Sequence, residues 1–331
     1  MCKSWKCRCA VITIAGVLAA LYLLNASWIA APPSGRPRIV AQRGFAQAYA
    51  LSEVTNHTCT ARLITPPTHS FIDNTLPSIG AALAAEADIV EIDVRTTKDH
   101  QFVLFHDDGL DCRTNGSGLV SEHSLAELRE IDVGYGYTAD GGRTFPIRGQ
   151  GVGMMPSLAS VLTTFPHSQF LIQIKDSDAV VADWLVAYLA AEKIEPWSRV
   201  SFFGAAAPLR RLGQLKPAAS VWSDHAAARC FFGYLRTGWF GRVPRDCDGG
   251  MIIVPIEQAT LLWGWPNRFL QRMREHHTQV MLIGKIQNLS SKRFSRLDTQ
   301  EELLEVPRGF GGLIWTDRIG VIGPLAAARR R

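Results

Sequence analysis

The sequence predicts an α/β fold: a (β/α)8 barrel with a long insertion after its third strand, preceded by one N-terminal transmembrane helix. Three observations carry that expectation. Short β-branched runs alternate with longer Ala/Leu-rich runs, the pattern of βα units around a parallel sheet. The chain is long enough for one such barrel, which commonly fills about 250 residues. The first thirty residues form an apolar stretch behind a basic flank.

In chain order, Lys3, Lys6 and Arg8 precede the apolar run Ala10–Leu24, which continues to Ala31 with Asn25 and Ser27 as interruptions. A membrane span needs about 20 apolar residues. Positive charge ahead of the run keeps the N-terminus in the cytoplasm and sends the rest outside. Residues 1–31 are therefore expected to be a single-pass anchor in the inner (cytoplasmic) membrane, with the barrel on the periplasmic or extracellular side. A signal peptide cut near Ala26–Ala31 is the alternative. Pro32, Pro33, Ser34, Gly35 and Pro37 make 32–37 a linker, 38–325 the barrel and 326–331 a basic tail.

Candidate strands are Arg38–Ala41, Asp88–Val94, Phe102–Phe105, Phe170–Ile174, Arg199–Phe203, Ser220–Trp222, Met251–Val254, Val280–Gly284 and Gly312–Trp315. These are nine candidates for eight barrel places, so one of them is expected to be a loop segment. Helices are expected over Leu76–Glu86, Leu125–Glu130, Asp178–Lys193 and Ala207–Leu215. Ser124 with Glu127 forms a capping box before the second of these. Two stretches are too long for plain connections, Phe45–Phe71 and the insertion at about 108–155. Ala226–Gly250 is expected to be irregular and aromatic-rich.

The formal charge of +5 is no nucleic-acid signal. Lys3, Lys6, Arg8 and Arg329–Arg331 supply all of the excess, and the body between them has no basic stripe. The four body cysteines are an even number in an exported domain. Four cysteines allow three pairings; Cys59–Cys112 with Cys230–Cys247 is favoured, the second closing a short loop, and four unpaired buried thiols are the alternative. No Cys-x-x-Cys spacing points to zinc.

The chemistry sits at strand ends. In Asp88-Ile-Val-Glu-Ile-Asp-Val94, Glu91 and Asp93 share one face and Val90, Ile92 and Val94 the other. Two inward like charges repel unless neutralised, and a hard divalent cation does that; pairing with a nearby Lys or Arg is the alternative. His106 and Asp107 close the next strand, with His106 as proton carrier. Arg43 ends the first strand and suits a phosphate clamp. Gln173 and Lys175 share a face of the strand Phe170–Ile174 and its end. Together these groups are the parts of a phosphodiester displacement.

The ordered motifs Gln42-Arg43-Gly44, Asp73-Asn74-Thr75, Glu91-Ile-Asp93 with Thr97-Lys-Asp99, His106-Asp107, Gln173-Ile-Lys175 and Thr316-Asp317 resemble those of the glycerophosphodiester phosphodiesterase family, from Arg38 to Ile319. The resemblance implies a TIM barrel that hydrolyses glycerophosphodiesters or phospholipid headgroups, with calcium or magnesium on Glu91, Asp93 and Gln173. It implies catalysis by His106 with Arg43 and the Gln42 position, and substrate binding by Arg43, Lys175 and Asn74. The chain departs from the family pattern in having Gln42 for a histidine, Gln173 for a glutamate and Asp73 for a glutamate. Gln42 cannot transfer a proton. A base supplied by His57 or His69, or a barrel that binds a phosphate headgroup or protein partner without turnover, are the readings this opens. Oligomeric state is not legible.

Overall fold

A computed structural model describes residues 5–49, 58–288 and 293–329. Its centre is a parallel sheet of eight strands: β1 (Arg38–Ala41), β2 (Ile89–Thr96), β4 (Gln169–Ile174), β5 (Val200–Gly204), β6 (Ser220–Trp222), β7 (Met251–Pro255), β8 (Gln279–Ile283) and β11 (Leu313–Thr316). They pair in the order β6-β5-β4-β2-β1-β11-β8-β7, a nearly closed barrel with β6 and β7 at the two ends of the ladder. The ninth candidate, β3 (Phe102–Leu104), pairs antiparallel with β2 and lies outside the barrel. The insertion therefore follows the third strand in chain order, which is a hairpin partner of the second barrel strand. A short antiparallel pair, β9 (Ile286–Asn288) with β10 (Arg293–Phe294), completes the strands described.

Alternation along β2 sorts its side chains as the period of two requires. Val90, Ile92 and Val94 join the large outer core beneath the helices. Ile89 turns inward to a second cluster with Val40, Leu171, Phe203, Trp222, Met281 and Trp315. Glu91 and Asp93 lie on that inward face and are fully buried. The insertion packs a third core of its own, including Leu110, Val133, Tyr137 and Ile147.

Helices α2 (Leu76–Ala84), α3 (Leu125–Leu128), α5 (Val180–Ala191) and α6 (Ala206–Leu215) fall where the sequence places them, and α4 (Leu158–Thr164) leads into β4. Both halves of the Ser124/Glu127 capping box are formed. The stretch expected to be irregular begins instead with α7 (Asp224–Thr237), capped by the Ser223 hydroxyl. Its buried residues Ala227, Cys230, Phe231 and Tyr234 follow helical spacing, a stripe hidden among the aromatics. Cys59–Cys112 and Cys230–Cys247 are both disulfides. The first ties the long first loop to the insertion.

The remaining helices are α1 (Trp5–Asn25), α8 (Asn267–Glu275), α9 (Gln300–Glu305) and α10 (Ile319–Ala328). Among the described residues no helix is long and apolar enough to cross a membrane. The apolar run to Ala31 is not one helix: α1 stops at Asn25, Ser27–Ile29 form a 3-10 turn, and Ala26 and Ala30 are buried. The expected boundary at 325 falls within α10, and Arg329 donates to the carbonyls of Leu303 and Val306 instead of trailing free.

Candidate active site

β1 ends at Ala41, and the next residues make the tight turn on which the site depends. Arg43 and Gly44 both have positive φ, 52° and 80°. That conformation is uncommon for arginine. It lets the Arg43 backbone N–H donate to Glu91 Oε2 (3.0 Å) while its carbonyl accepts from Asn74 N (2.9 Å) and Ser78 Oγ (3.2 Å). Gly44 has no substitute here: a Cβ would stand 2.5 Å from Ser78 Oγ.

The Arg43 guanidinium then lies 3.1 Å from Asp93 Oδ2 and 3.6 Å from Asp73. Lys175 Nζ is 3.5 Å from Asp93 Oδ1 and donates to Gln173 Oε1 at 3.2 Å. Asn74 uses both ends of its amide on Asp93, donating to Oδ2 (2.9 Å) and accepting from its backbone N–H (3.1 Å). Its amide therefore orients this carboxylate. Burial opposes charge on Asp93, but Lys175 and Arg43 outweigh it and hold its pKa well below the usual range. Glu91 goes the other way. Burial, and then the Asp93 charge, push it up to about 8.

Glu91 Oε1 and Asp93 Oδ1 are buried and accept no hydrogen bond. The β2–β4 register sets Gln173 beside Asp93. Glu91 Oε1 is bare, while Asp93 Oδ1 and the Gln173 amide oxygen both face the Lys175 ammonium; three such oxygens suit a hard divalent cation. Among the described residues no group of three His, Cys, Asp or Glu is arranged around a metal position; the third oxygen of this set belongs to an amide.

His106 Nδ1 lies 2.6 Å from Asp107 Oδ1. With Nδ1 turned to the carboxylate, Nε2 is left for proton transfer. Burial, and then the Arg43 charge, bring the imidazole down to about 4, so it is neutral at pH 7 in the free site. Asp107 is held low despite burial, chiefly by Arg113.

Arg113, from the insertion, was not among the expected site residues. It donates to Asp107 (2.8 Å), Asp73 (3.1 Å), Tyr137 Oη (2.8 Å) and Thr60 Oγ1 (2.6 Å) while 4% exposed. Tyr137 also donates to Asp73. Asp73 is thus engaged by two arginines and a tyrosine. The signal for Arg113 was its place next to Cys112, whose disulfide partner lies one residue before Thr60.

Gln42 accepts from Arg296 Nε (3.3 Å), and that guanidinium lies 3.8 Å over the Trp315 ring. Asp317 lines the same cleft as Gln42, Arg43 and Tyr49. Nearby Asp298 accepts from Asp317 N and Thr316 Oγ1 and is pushed up to about 7 by burial and the Asp317 charge. Of the loop histidines, His57 lies outside the described residues. His69 contacts Gln47 through Nδ1 and packs against Phe45 and Phe71, and it lines neither site cleft.

Residues 61–202 match the model of the glycerophosphoryl diester phosphodiesterase family. The chain carries this match over 142 of its 331 residues. It is 32% identical over 128 residues to a glycerophosphodiester phosphodiesterase of Bacillus subtilis, covering 37% of this chain and 42% of the relative. A putative one from the same organism is 37% identical over 31% of this chain and 39% of its own length. The chain thus spans about two-fifths of these curated relatives. A Caldanaerobacter subterraneus glycerophosphodiester phosphodiesterase is 26% identical over 54% of this chain and 74% of its own length. Among solved structures, the glycerophosphoryl diester phosphodiesterase domain of an uncharacterized Mycobacterium tuberculosis protein superposes with a TM-score of 0.62 at 17% identity, covering 89% of this chain and 98% of that one. An Oleispira antarctica phosphodiesterase in complex with the product sn-glycerol-3-phosphate gives 0.56 at 17% identity, over 89% and 98%. At that identity the superpositions establish the barrel alone.

Proposed function

We propose that this chain is a metal-dependent phosphodiester hydrolase acting on glycerophosphodiesters or phospholipid headgroups outside the cytoplasmic membrane. The observation that carries the reading is the convergence of Arg43, Lys175 and the His106–Asp107 pair on the buried carboxylates Glu91 and Asp93. Arg43 and Lys175 would hold the phosphodiester anion, the arginine by its planar fork. Glu91, Asp93 and Gln173 would hold calcium or magnesium, which when bound would neutralise the carboxylates and polarise a phosphoryl oxygen. Burial first, and the Arg43 charge second, keep His106 uncharged, and the incoming anion opposes the Arg43 charge. It thereby favours a proton on Nε2, from which the leaving alkoxide is protonated.

A specific observation supports a second reading. Gln42 cannot act as an acid or base at neutral pH and accepts from Arg296, an arrangement that fits a barrel binding a phosphate headgroup without turnover. Purified protein incubated with a panel of glycerophosphodiesters, with calcium or magnesium, decides between them by product release. Turnover that chelation abolishes and His106→Ala lowers by about 10²–10⁴-fold supports hydrolysis. Binding with no product from any diester, and turnover gained in Gln42→His, supports the second.

The membrane location is part of the proposal. Its support is the basic flank Lys3, Lys6 and Arg8, the apolar run behind it, and the exposed apolar side chains that α1 presents, among them Ile12, Leu18 and Tyr22. Flotation of the whole chain with vesicles tests it.

A further inference from the structure

The end of α1 is bolted to the barrel. Arg272 of α8, itself buried, donates to the Leu24 carbonyl (2.9 Å) and to Asn25 Oδ1 (3.1 Å), and also to Tyr234 Oη (2.8 Å) and the Gly238 carbonyl (3.1 Å). The last carbonyls of a helix are otherwise unsatisfied and sit at the negative end of its dipole, so an arginine there fixes the helix in place. Asn25 donates to the Trp239 carbonyl, and Ser27 Oγ accepts from Asn267 N at 2.9 Å. These contacts precede the proline-rich residues 32–37 that the sequence marks as a linker.

The surface around this junction is aromatic and exposed. Trp28, Trp239, Phe240, Leu261 and Trp263 all leave large apolar area open. The Trp239 and Phe240 rings pack edge to face at 4.8 Å, and Trp263 Nε1 reaches back to the Leu235 carbonyl at 2.9 Å. The patch continues into the exposed apolar side chains of α1. Folded monomers rarely leave contiguous patches of this kind without a partner. Its charge says which one: between Asp224 and Asp246 the chain has four arginines and no acid, and Arg236, Arg242 and Arg245 are exposed. Tryptophan and phenylalanine bordered by arginine suit the boundary between headgroups and acyl chains of an anionic bilayer.

We infer that the barrel flank formed by α7 and the turns after α7 and β7 rests on an anionic lipid surface, locked to α1 through Arg272. The barrel is then held against the bilayer in one orientation and does not hang from residues 32–37. The inference rests on the membrane location proposed above and is independent of turnover.

The whole chain is reconstituted in phosphatidylglycerol-containing vesicles with brominated acyl chains, which quench nearby tryptophan. Quenchable emission should drop in the Trp239→Phe/Trp263→Phe variant and stay unchanged in Trp197→Phe, whose indole lies near Phe202 and Lys216. Phenylalanine keeps the packing, and matched melting temperatures confirm it. If the double variant floats with vesicles yet loses no quenchable emission, the lipid face is wrong and the anchor stands. A chain that does not float at all overturns both. Equal quenching in vesicles of phosphatidylcholine alone overturns the anionic preference.

Discussion

Arg113→Met removes the side chain through which the insertion grips the site. Asp73 would keep Arg43 and Tyr137, and Asp107 would keep His106, but both carboxylates would lose their principal buried cation. Breaking a buried ion pair from one side costs about 3–5 kcal/mol. The surviving partners put the expected loss near the lower end, about 3 kcal/mol. Urea unfolding at neutral pH should show the midpoint lowered with an unchanged slope. Arg113→Lys keeps the charge without the fork and should fall between. Arg113→Met/Asp107→Asn should lose less than the two single changes summed, because no bare carboxylate is left on that side.

The same substitution has a pH signature. Arg113 holds the Asp107 pKa below the ordinary 3.8. The stability from this pair is complete above that value and is lost as pH falls through the depressed one. The gap between wild type and variant should therefore narrow in acid. Freed of Arg113, the Asp107 charge acts more fully on His106, whose pKa should rise from about 4. Following the His106 ring proton by NMR measures this. A loss below about 1 kcal/mol, the range of an exposed pair, with His106 titrating as before would refute the reasoning.

Three further outcomes follow from the geometry. With Glu91 at about 8, a cation must displace its proton, so divalent-metal affinity by calorimetry should fall about 100-fold from pH 9 to pH 6; Glu91→Gln should flatten that slope. Gly44→Ala, forced to a φ of 80° and into Ser78, should cost about 1–3 kcal/mol by chemical denaturation and displace Arg43. Replacing Cys230 and Cys247 with serine opens a link across 17 positions, with an expected loss of about 3 kcal/mol in thermal unfolding.

What the sequence determined by itself is local and periodic. Alternation along Asp88–Val94 put Glu91 and Asp93 on one face, and the barrel interior is where that face points. Parity likewise paired Gln173 with Lys175, and an even cysteine count led to both disulfides. The capping box at Ser124 needed only three residues of spacing. Strand direction was not legible, because Phe102–Leu104 has the same β-branched and aromatic character whether it pairs parallel or antiparallel; only its partner on β2 takes it out of the barrel. The helix α7 was hidden for a related reason, since its buried stripe is interleaved with aromatics that stay exposed. Tertiary structure alone decided what each site carboxylate does. Arg113 and Arg296 lie outside the motifs, and it is their packing onto the site that engages Asp73 and Asp107 and occupies Gln42. Charge acts through space, so which acid is compensated and which is left bare is set by packing and not by spacing along the chain.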